Sequence, residues 1–184
     1  MNRIYLDNAA TTRPDDQVID AMIPFLKYNY GNASSIHSFG KAAKVVLEEA
    51  RDTVAEYIGA TSKEIVFTNS GTESNNFALK GIAYKFLGSQ KNHIITSTIE
   101  HLAVLDTMNY LGSKYNFKIT YLKPDSNGKI SIDDIKSKIC AETFLISVMH
   151  SNNEIGVINN ISEIADAAKE NEIYVHTDSV QSIG

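Results

Sequence analysis

His93-Ile94-Ile95-Thr96-Ser97, followed after two residues by Glu100-His101, shows the pattern that decides the fold. A short apolar run of this kind is typical of a buried strand, and here it ends in a compact polar cluster. The same pattern recurs at residues 64–76, 144–154 and 173–181. In an open α/β sheet, ligands bind in the crevice outside the carboxyl ends of the strands. The four clusters therefore predict a single site at one edge of a sheet.

Segments with helical apolar spacing separate these runs. Such alternation predicts βα units and a largely parallel sheet. Ahead of it we expect an N-terminal arm, a helix from about Asp16, a turn-rich loop over residues 28–40 and a long helix that stops at Gly59. The sequence thus predicts a three-layer α/β/α architecture with strands over 64–68, 93–97, 117–122, 144–149 and 173–177, and helices over 72–87, 102–112, 132–139 and 161–170.

The bulk composition indicates an ordinary globular protein and excludes several classes of function. The chain has 184 residues, 43% of them hydrophobic, which is enough for one domain with a substantial core. Its net charge of −5 offers no basic surface to a nucleic acid. A single cysteine cannot form an internal disulfide, and no apolar run approaches the ~18 residues that a membrane span needs. We expect a cytoplasmic protein with no membrane and no nucleic-acid partner.

Ser70-Gly71-Thr72 lies where a predicted strand meets a predicted helix. Glycine lets a ligand approach the backbone, and the first N–H groups of a helix are unpaired and carry the positive end of its dipole. The segment therefore predicts a phosphate site. The alternative, that Ser70 or Thr72 only caps the helix, stays open.

The remaining clusters offer an acid, an imidazole and amides. Asp178 ends a predicted buried strand, where its carboxylate either caps the next turn of the chain or meets a cation such as a protonated pyridine nitrogen. His101 either covers an aromatic ring and carries protons or is structural. Asn152, Asn153 and Gln181 either bind a phenolic oxygen or organise loops. Together the clusters describe the contacts of pyridoxal phosphate, and they predict no metal site.

Six motifs, in order along nearly the whole chain, carry a family resemblance. The chain resembles the class V aminotransferases, pyridoxal-phosphate enzymes of fold type I, and among them the NifS/IscS-type cysteine desulfurases. The motifs are YLDNAATT at 5–12, YGNASSIH at 30–37, TNSGTESNN at 68–76, EH at 100–101, SVMHSNNEIG at 147–156 and HTDSVQS at 176–182.

The resemblance implies a cofactor site made by these clusters. Gly71 and Thr72 would bind the phosphate of pyridoxal phosphate. His101 would stack on the cofactor ring and move protons, as the catalytic residue. Asp178 would hold the pyridine nitrogen.

The resemblance also assigns the amides and the N-terminal arm. Asn153 and Gln181 would hold the ring oxygen of the cofactor. Asn8 and Ala9, within the arm, would line the substrate entrance.

Some groups that the resemblance implies have no counterpart in this sequence. The Schiff-base lysine lies beyond the Asp-x-x-Gln motif in the family, so no lysine of this chain is expected to bind the cofactor covalently. The persulfide-forming cysteine lies further on, and we expect Cys140 to be structural instead. We therefore expect an arm over residues 1–15, part of the large cofactor-binding domain over 16–184, and no small C-terminal domain.

The implied activity is that of a cysteine desulfurase. Such an enzyme converts L-cysteine to L-alanine and passes the sulfur, through an enzyme persulfide, to an iron–sulfur scaffold or a thio-modification acceptor. The resemblance implies a homodimer. An N-terminal half alone would be inactive, and its unpaired sheet edges would promote self-association.

Other functions stay open at this point. One is a natural half-length protein that binds pyridoxal phosphate without catalysis or docks on a full-length paralogue. Another is a related class V aminotransferase or a selenocysteine lyase. A dinucleotide-binding domain fits least, because no Gly-x-Gly-x-x-Gly follows the first strand of a βαβ unit.

Overall fold

The computed structural model describes residues 3–183, which form two compact units. The first unit ends at Phe67 and the second begins at Thr68. This grouping does not test the predicted division into an arm and a partial cofactor-binding domain, which stays a prediction.

The first unit is helical, and local signals set the ends of its helices. α1 (Asp16–Lys27) begins after Asp15, whose carboxylate accepts the Gln17 N–H at 2.8 Å. α2 (Ser38–Ile58) begins within the predicted loop and ends at Gly59, whose φ of 71° is the left-handed conformation that glycine adopts readily.

The strand predicted over residues 64–68 is wrong. Ser62–Glu64 forms a single 3-10 turn, and residues 65–68 pair with no strand in the described part of the chain. Val66 and Phe67 are exposed. A strand needs a hydrogen-bonding neighbour as well as an apolar run, and the sequence pattern reports only the apolar run.

The second unit alternates strands and helices as predicted. Its helices lack the length or the apolar character to cross a membrane, as do the other helices within residues 3–183. In chain order its elements are α3 (Gly71–Lys85), β1 (His93–Ser97), α4 (Leu102–Tyr115), β2 (Lys118–Leu122), α5 (Ile132–Lys138), β3 (Thr143–Ser147), α6 (Ile161–Lys169) and β4 (Tyr174–His176).

The four strands form a parallel sheet in the order β2-β1-β3-β4. Alternate residues of the central strands face opposite sides, so Ile94 packs with α3 and α4 whereas Ile95 packs with α5 and α6. Every residue of β1 and β3 is buried, as expected for strands covered on both faces. The predicted α/β architecture with a parallel sheet is confirmed, and all four strands point their carboxyl ends to one edge.

Candidate functional site

Asp178 is a buried carboxylate just beyond the end of β4. Asn75 of α3 donates its side-chain N–H to Oδ2 at 2.8 Å, and the Val180 N–H donates to Oδ1 at 3.0 Å. Among residues 3–183, no basic side chain forms an ion pair with it. The carboxylate is therefore held in one orientation without a cation to neutralise it.

The turn that precedes α3 is closed by a reciprocal cap. Ser70 Oγ accepts the Glu73 N–H at 3.1 Å, and the Glu73 carboxylate accepts the Asn69 backbone N–H at 2.7 Å. The serine contact is that of a helix N-cap, and the glutamate secures the residue before it. The capping role considered for Ser70 is confirmed.

Gly71 and Thr72 begin α3 beside the loop that carries Asp178. Their N–H groups have no partner earlier in the helix, because the first turn of a helix offers none. A Cβ on Gly71 would lie 2.9 Å from Cγ2 of the exposed Val180 side chain, so the start of α3 and the loop after β4 are close together here. The structure thus brings the predicted phosphate site and the predicted ring-nitrogen partner to one place.

A cleft of about 400 Å³ lies between the loop after β1 and the turn after β3, lined by Thr98–Leu102 and Asn152–Ile155. His101 is exposed in it, and its Nδ1 accepts the Ala103 N–H at 3.1 Å. A neutral ring held in this way carries its proton on Nε2. Asn153 is half-buried in the same cleft. The structure therefore brings His101 and Asn153 together.

Asn152, by contrast, organises its own loop. Its Oδ1 accepts the N–H groups of Glu154 at 2.8 Å and Ile155 at 3.0 Å, and its Nδ2 donates to the Ile99 carbonyl at 2.8 Å. For this residue the loop-organising alternative is confirmed. The same contacts hold the two walls of the cleft against each other.

Glu100 links the loop after β1 to the end of β3. It is buried, and its Oε1 accepts the Ser97 hydroxyl and, at 3.0 Å, the Met149 N–H. Burial raises its pKa to about 7, and the nearby Asp178 carboxylate adds to this rise. Sequence reasoning assigned no role to Glu100 or Asn75. Both residues lie within the polar clusters, and no other feature of the sequence indicated a role for them.

Two further histidines support the loops around the site. His176 Nδ1 lies 2.9 Å from Ser147 Oγ on the neighbouring strand, and His150 Nδ1 lies 2.8 Å from Ser182 Oγ. Burial lowers the pKa of His176 to about 4, against the opposing influence of Asp178. His176 is therefore neutral near pH 7.

The other site candidates are exposed. Gln181 is exposed three residues after Asp178, and Asn8 and Ala9 are exposed in the first unit, so their predicted roles stay predictions. Cys140 is exposed and precedes β3, at the opposite end of that strand from the site. Residues 3–183 contain no group of three or more His, Cys, Asp or Glu side chains able to hold a metal ion.

A model of the family described as "Aminotransferase class-V" matches residues 4–184. The chain belongs to the aminotransferase class-V family. Cysteine desulfurase IscS of Dictyoglomus turgidum is 51% identical over 181 residues, which are 98% of this chain and 45% of that protein. Cysteine desulfurase IscS of Methanosarcina thermophila is 49% identical, over 98% of this chain and 44% of that protein. The chain thus spans less than half the length of these class-V relatives.

Solved structures of class-V proteins match the fold as well. A NifS-like protein superposes with a TM-score of 0.94 at 42% identity, over 99% of this chain and 50% of that chain. A structure described as SspA in complex with cysteine superposes with a TM-score of 0.91 at 40% identity, over 97% of this chain and 51% of that chain. The resemblance to NifS/IscS-type proteins is confirmed.

The class-V family depends on pyridoxal phosphate, and the described residues fit that group. A buried carboxylate that has an amide partner but no cation suits a protonated ring nitrogen. A helix N-terminus that begins with glycine suits a phosphate. Both features lie at the carboxyl edge of the sheet, where an α/β fold binds its ligands.

Proposed function

We propose that this chain forms the cofactor-binding part of a pyridoxal-phosphate-dependent cysteine desulfurase. The proposed reaction converts L-cysteine to L-alanine and leaves the sulfur as an enzyme persulfide. One observation carries the proposal: the buried Asp178 carboxylate, oriented by Asn75, lies beside the first residues of α3. The names of the IscS relatives and the cysteine complex of SspA support the choice of substrate. When bound, pyridoxal phosphate supplies an electron sink for the negative charge that develops at the substrate Cα.

Different residues of the second unit would bind different parts of the cofactor. The backbone of Gly71 and the hydroxyl of Thr72 would bind the phosphate at the helix terminus. Asp178 accepts a hydrogen bond from the ring nitrogen and favours its protonated form. His101, tethered through Nδ1, covers the ring and holds a proton on Nε2.

Four further residues are assigned by the family resemblance. Asn153 and Gln181 hold the ring oxygen of the cofactor, and the position of Asn153 in the cleft beside His101 supports its part. Asn8 and Ala9 serve substrate binding.

The wider setting is proposed on the same basis. The enzyme acts as a cytoplasmic homodimer and passes its sulfur to an iron–sulfur scaffold or a thio-modification acceptor. On the family resemblance, we propose that the Schiff-base lysine and the persulfide cysteine lie outside residues 1–184. We therefore expect residues 1–184 by themselves to release no alanine from L-cysteine.

The test measures pyridoxal-phosphate binding by visible absorbance, and alanine formation from L-cysteine, in the full-length protein. Asp178→Asn removes the charge that faces the ring nitrogen, so we expect binding to weaken about 10- to 100-fold, the usual value of a hydrogen bond to a charged group. Asp166→Asn, on the exposed face of α6, is the matched control and should change neither quantity.

Three outcomes would contradict the proposal. The first is a full-length protein that binds no pyridoxal phosphate. The second is an Asp178→Asn variant that binds it as tightly as the control. The third is a protein that binds it but transaminates another amino acid and leaves cysteine intact, which would favour a related class V aminotransferase.

A further inference from the structure

Glu100 lies where the carboxyl ends of β1 and β3 meet, and its side chain is 5% exposed. Its Oε1 accepts two hydrogen bonds, one from the Ser97 hydroxyl in its own loop and one from the Met149 N–H at 3.0 Å. Its Oε2 is buried and has no hydrogen-bond partner within residues 3–183. Glu100 thus ties the loop that carries His101 to the end of β3 through one oxygen only.

This arrangement suits a protonated carboxyl. Both donors converge on Oε1, so Oε2 is the atom that can carry the proton. An ionised carboxylate would leave a charged oxygen buried without any partner, which costs several kcal/mol in proteins. The chemistry of the site adds a second reason, because Asp178 must be ionised to favour a protonated ring nitrogen. A second buried charge of the same sign close to Asp178 would oppose that.

Several titratable side chains stand on the elements around Glu100. The charge of Asp178 raises the pKa of Glu100, after the larger effect of burial. Other titratable side chains on these segments include His101 and Asp106, His150 and Glu154 after β3, and His176 at the end of β4.

We propose that Glu100 is a positioning residue that works in its protonated form and holds the His101 loop and the end of β3 in place for the cofactor. The part that concerns the cofactor rests on the proposed function. The titration of Glu100 does not, because it follows from the contacts of the protein alone.

The proposal has a definite pH dependence. As pH rises from about 4.5 to about 7, the unfolded chain has released the Glu100 proton while the folded protein still holds it. The unfolded state then binds fewer protons, so the contribution of Glu100 to stability falls through this window and levels off above it. Above about pH 7 the ionised Glu100 has a charged oxygen buried without a partner among residues 3–183, which destabilises the contacts that hold the His101 loop in place for a cofactor.

Glu100→Gln keeps the shape of the side chain but removes its ability to ionise. Glutamine keeps an acceptor for Ser97 and Met149, places an amide where the protonated oxygen stands, and does not ionise. The first measurement is denaturant unfolding of the full-length protein without cofactor, between about pH 5 and pH 8. Relative to the variant, wild type should lose stability as pH rises toward 7. Glu170→Gln, at an exposed site, should follow wild type. Parallel curves for wild type and Glu100→Gln would overturn the proposal.

The second measurement is the affinity for pyridoxal phosphate across the same pH range, followed by visible circular dichroism. Glu100→Gln should bind as well as wild type at low pH and better at high pH. Glu100→Ala loses both hydrogen bonds and should bind about 10-fold more weakly at every pH. An alanine variant that binds like wild type would refute the positioning role. If wild type binds no pyridoxal phosphate at all, the proposed function and the role toward the cofactor fail, while the unfolding comparison still decides the titration.

Discussion

The two units of the molecule use the same local signals but bury their side chains very differently. In the first unit α1 buries none of its residues, and α2 buries only Gly40 and Ala55. In the second unit two clusters of buried apolar side chains cover both faces of the sheet. Caps and apolar spacing are therefore enough to predict a helix, but a core also needs a surface to pack against.

The first unit is specified by contacts between backbone segments instead. A Cβ on Gly31 would lie 2.3 Å from the carbonyl oxygen of Phe39, and a Cβ on Gly40 would lie 2.4 Å from that of Ser35. Real Cβ atoms do not approach backbone so closely. In the first unit, glycines allow backbone segments to approach each other closely. In the second unit, large buried side chains fill the core.

The largest expected effect compares one substitution in both units. Leu79 of α3 is 0% exposed and Leu26 of α1 is 75% exposed. Leu79→Ala should lower the free energy of unfolding by about 2–5 kcal/mol because it leaves a cavity. Leu26→Ala should change it by less than about 0.5 kcal/mol. Denaturant unfolding of both variants checks this, and equal losses would show that the comparison of the units is wrong.

Acid should act on the second unit through His176. Its pKa falls from 6.5 to about 4 on folding, so the unfolded state binds the proton first as pH drops. Stability is therefore lost as pH falls from about 6.5 to about 4, by at most about 3 kcal/mol. Glu100 has the opposite slope above about pH 4.5, so the two partly cancel in wild type.

His176→Gln should remove this acid-dependent loss from the unfolding curves. Ser147→Ala is the control, since it deletes the hydrogen bond to the ring but keeps the titrating imidazole and hence the slope. A His176→Gln variant with the wild-type slope below pH 6.5 would rule out the assignment to this residue.

A smaller effect is expected at the hydrogen bond between Asn75 of α3 and Asp178 beyond β4. Asn75→Leu leaves Asp178 Oδ2 without its donor, so pyridoxal-phosphate affinity should fall about 10-fold or more. Asn109→Leu, which removes only an exposed contact with Tyr121, should leave the affinity unchanged. Spectroscopic titration of both variants measures the difference, and equal affinities would count against an orienting role for Asn75.

The last comparison concerns two glycines, for which we expect effects of opposite sign. Gly40→Ala should destabilise the first unit by about 1–3 kcal/mol, because the new methyl group meets backbone. Gly81→Ala in α3 meets nothing within 4 Å and should stabilise its helix by about 0.5–1 kcal/mol. Proteolysis of the two variants under native conditions reports the change in each unit. Two changes of the same sign would break the distinction between backbone and side-chain packing.

The success of sequence reasoning depends on the kind of information each element needs. The strand over 93–97 was predicted with its correct bounds because an apolar run buried on both faces is visible in the residues themselves. The run over 64–68 looks similar but pairs with no strand among residues 3–183. The sequence pattern does not reveal this, because pairing depends on residues that are distant in sequence. The stop at Gly59 is local and was predicted correctly, and the cap at Ser70 confirms a local alternative that the sequence analysis left open.

The sequence by itself determined the alternation of elements, the parallel α/β class and the family, because periodicity, caps and motifs are properties of neighbouring residues. Tertiary structure alone decided that Asn75 meets Asp178 across 103 residues, and that Glu100 is buried with one oxygen that has no hydrogen-bond partner among residues 3–183. Contacts of this kind depend on how helices and strands pack, and so do the desolvation and charge proximity that shift a pKa. The motifs bring the right residues to one edge of the sheet, and packing determines how each of them is oriented and protonated.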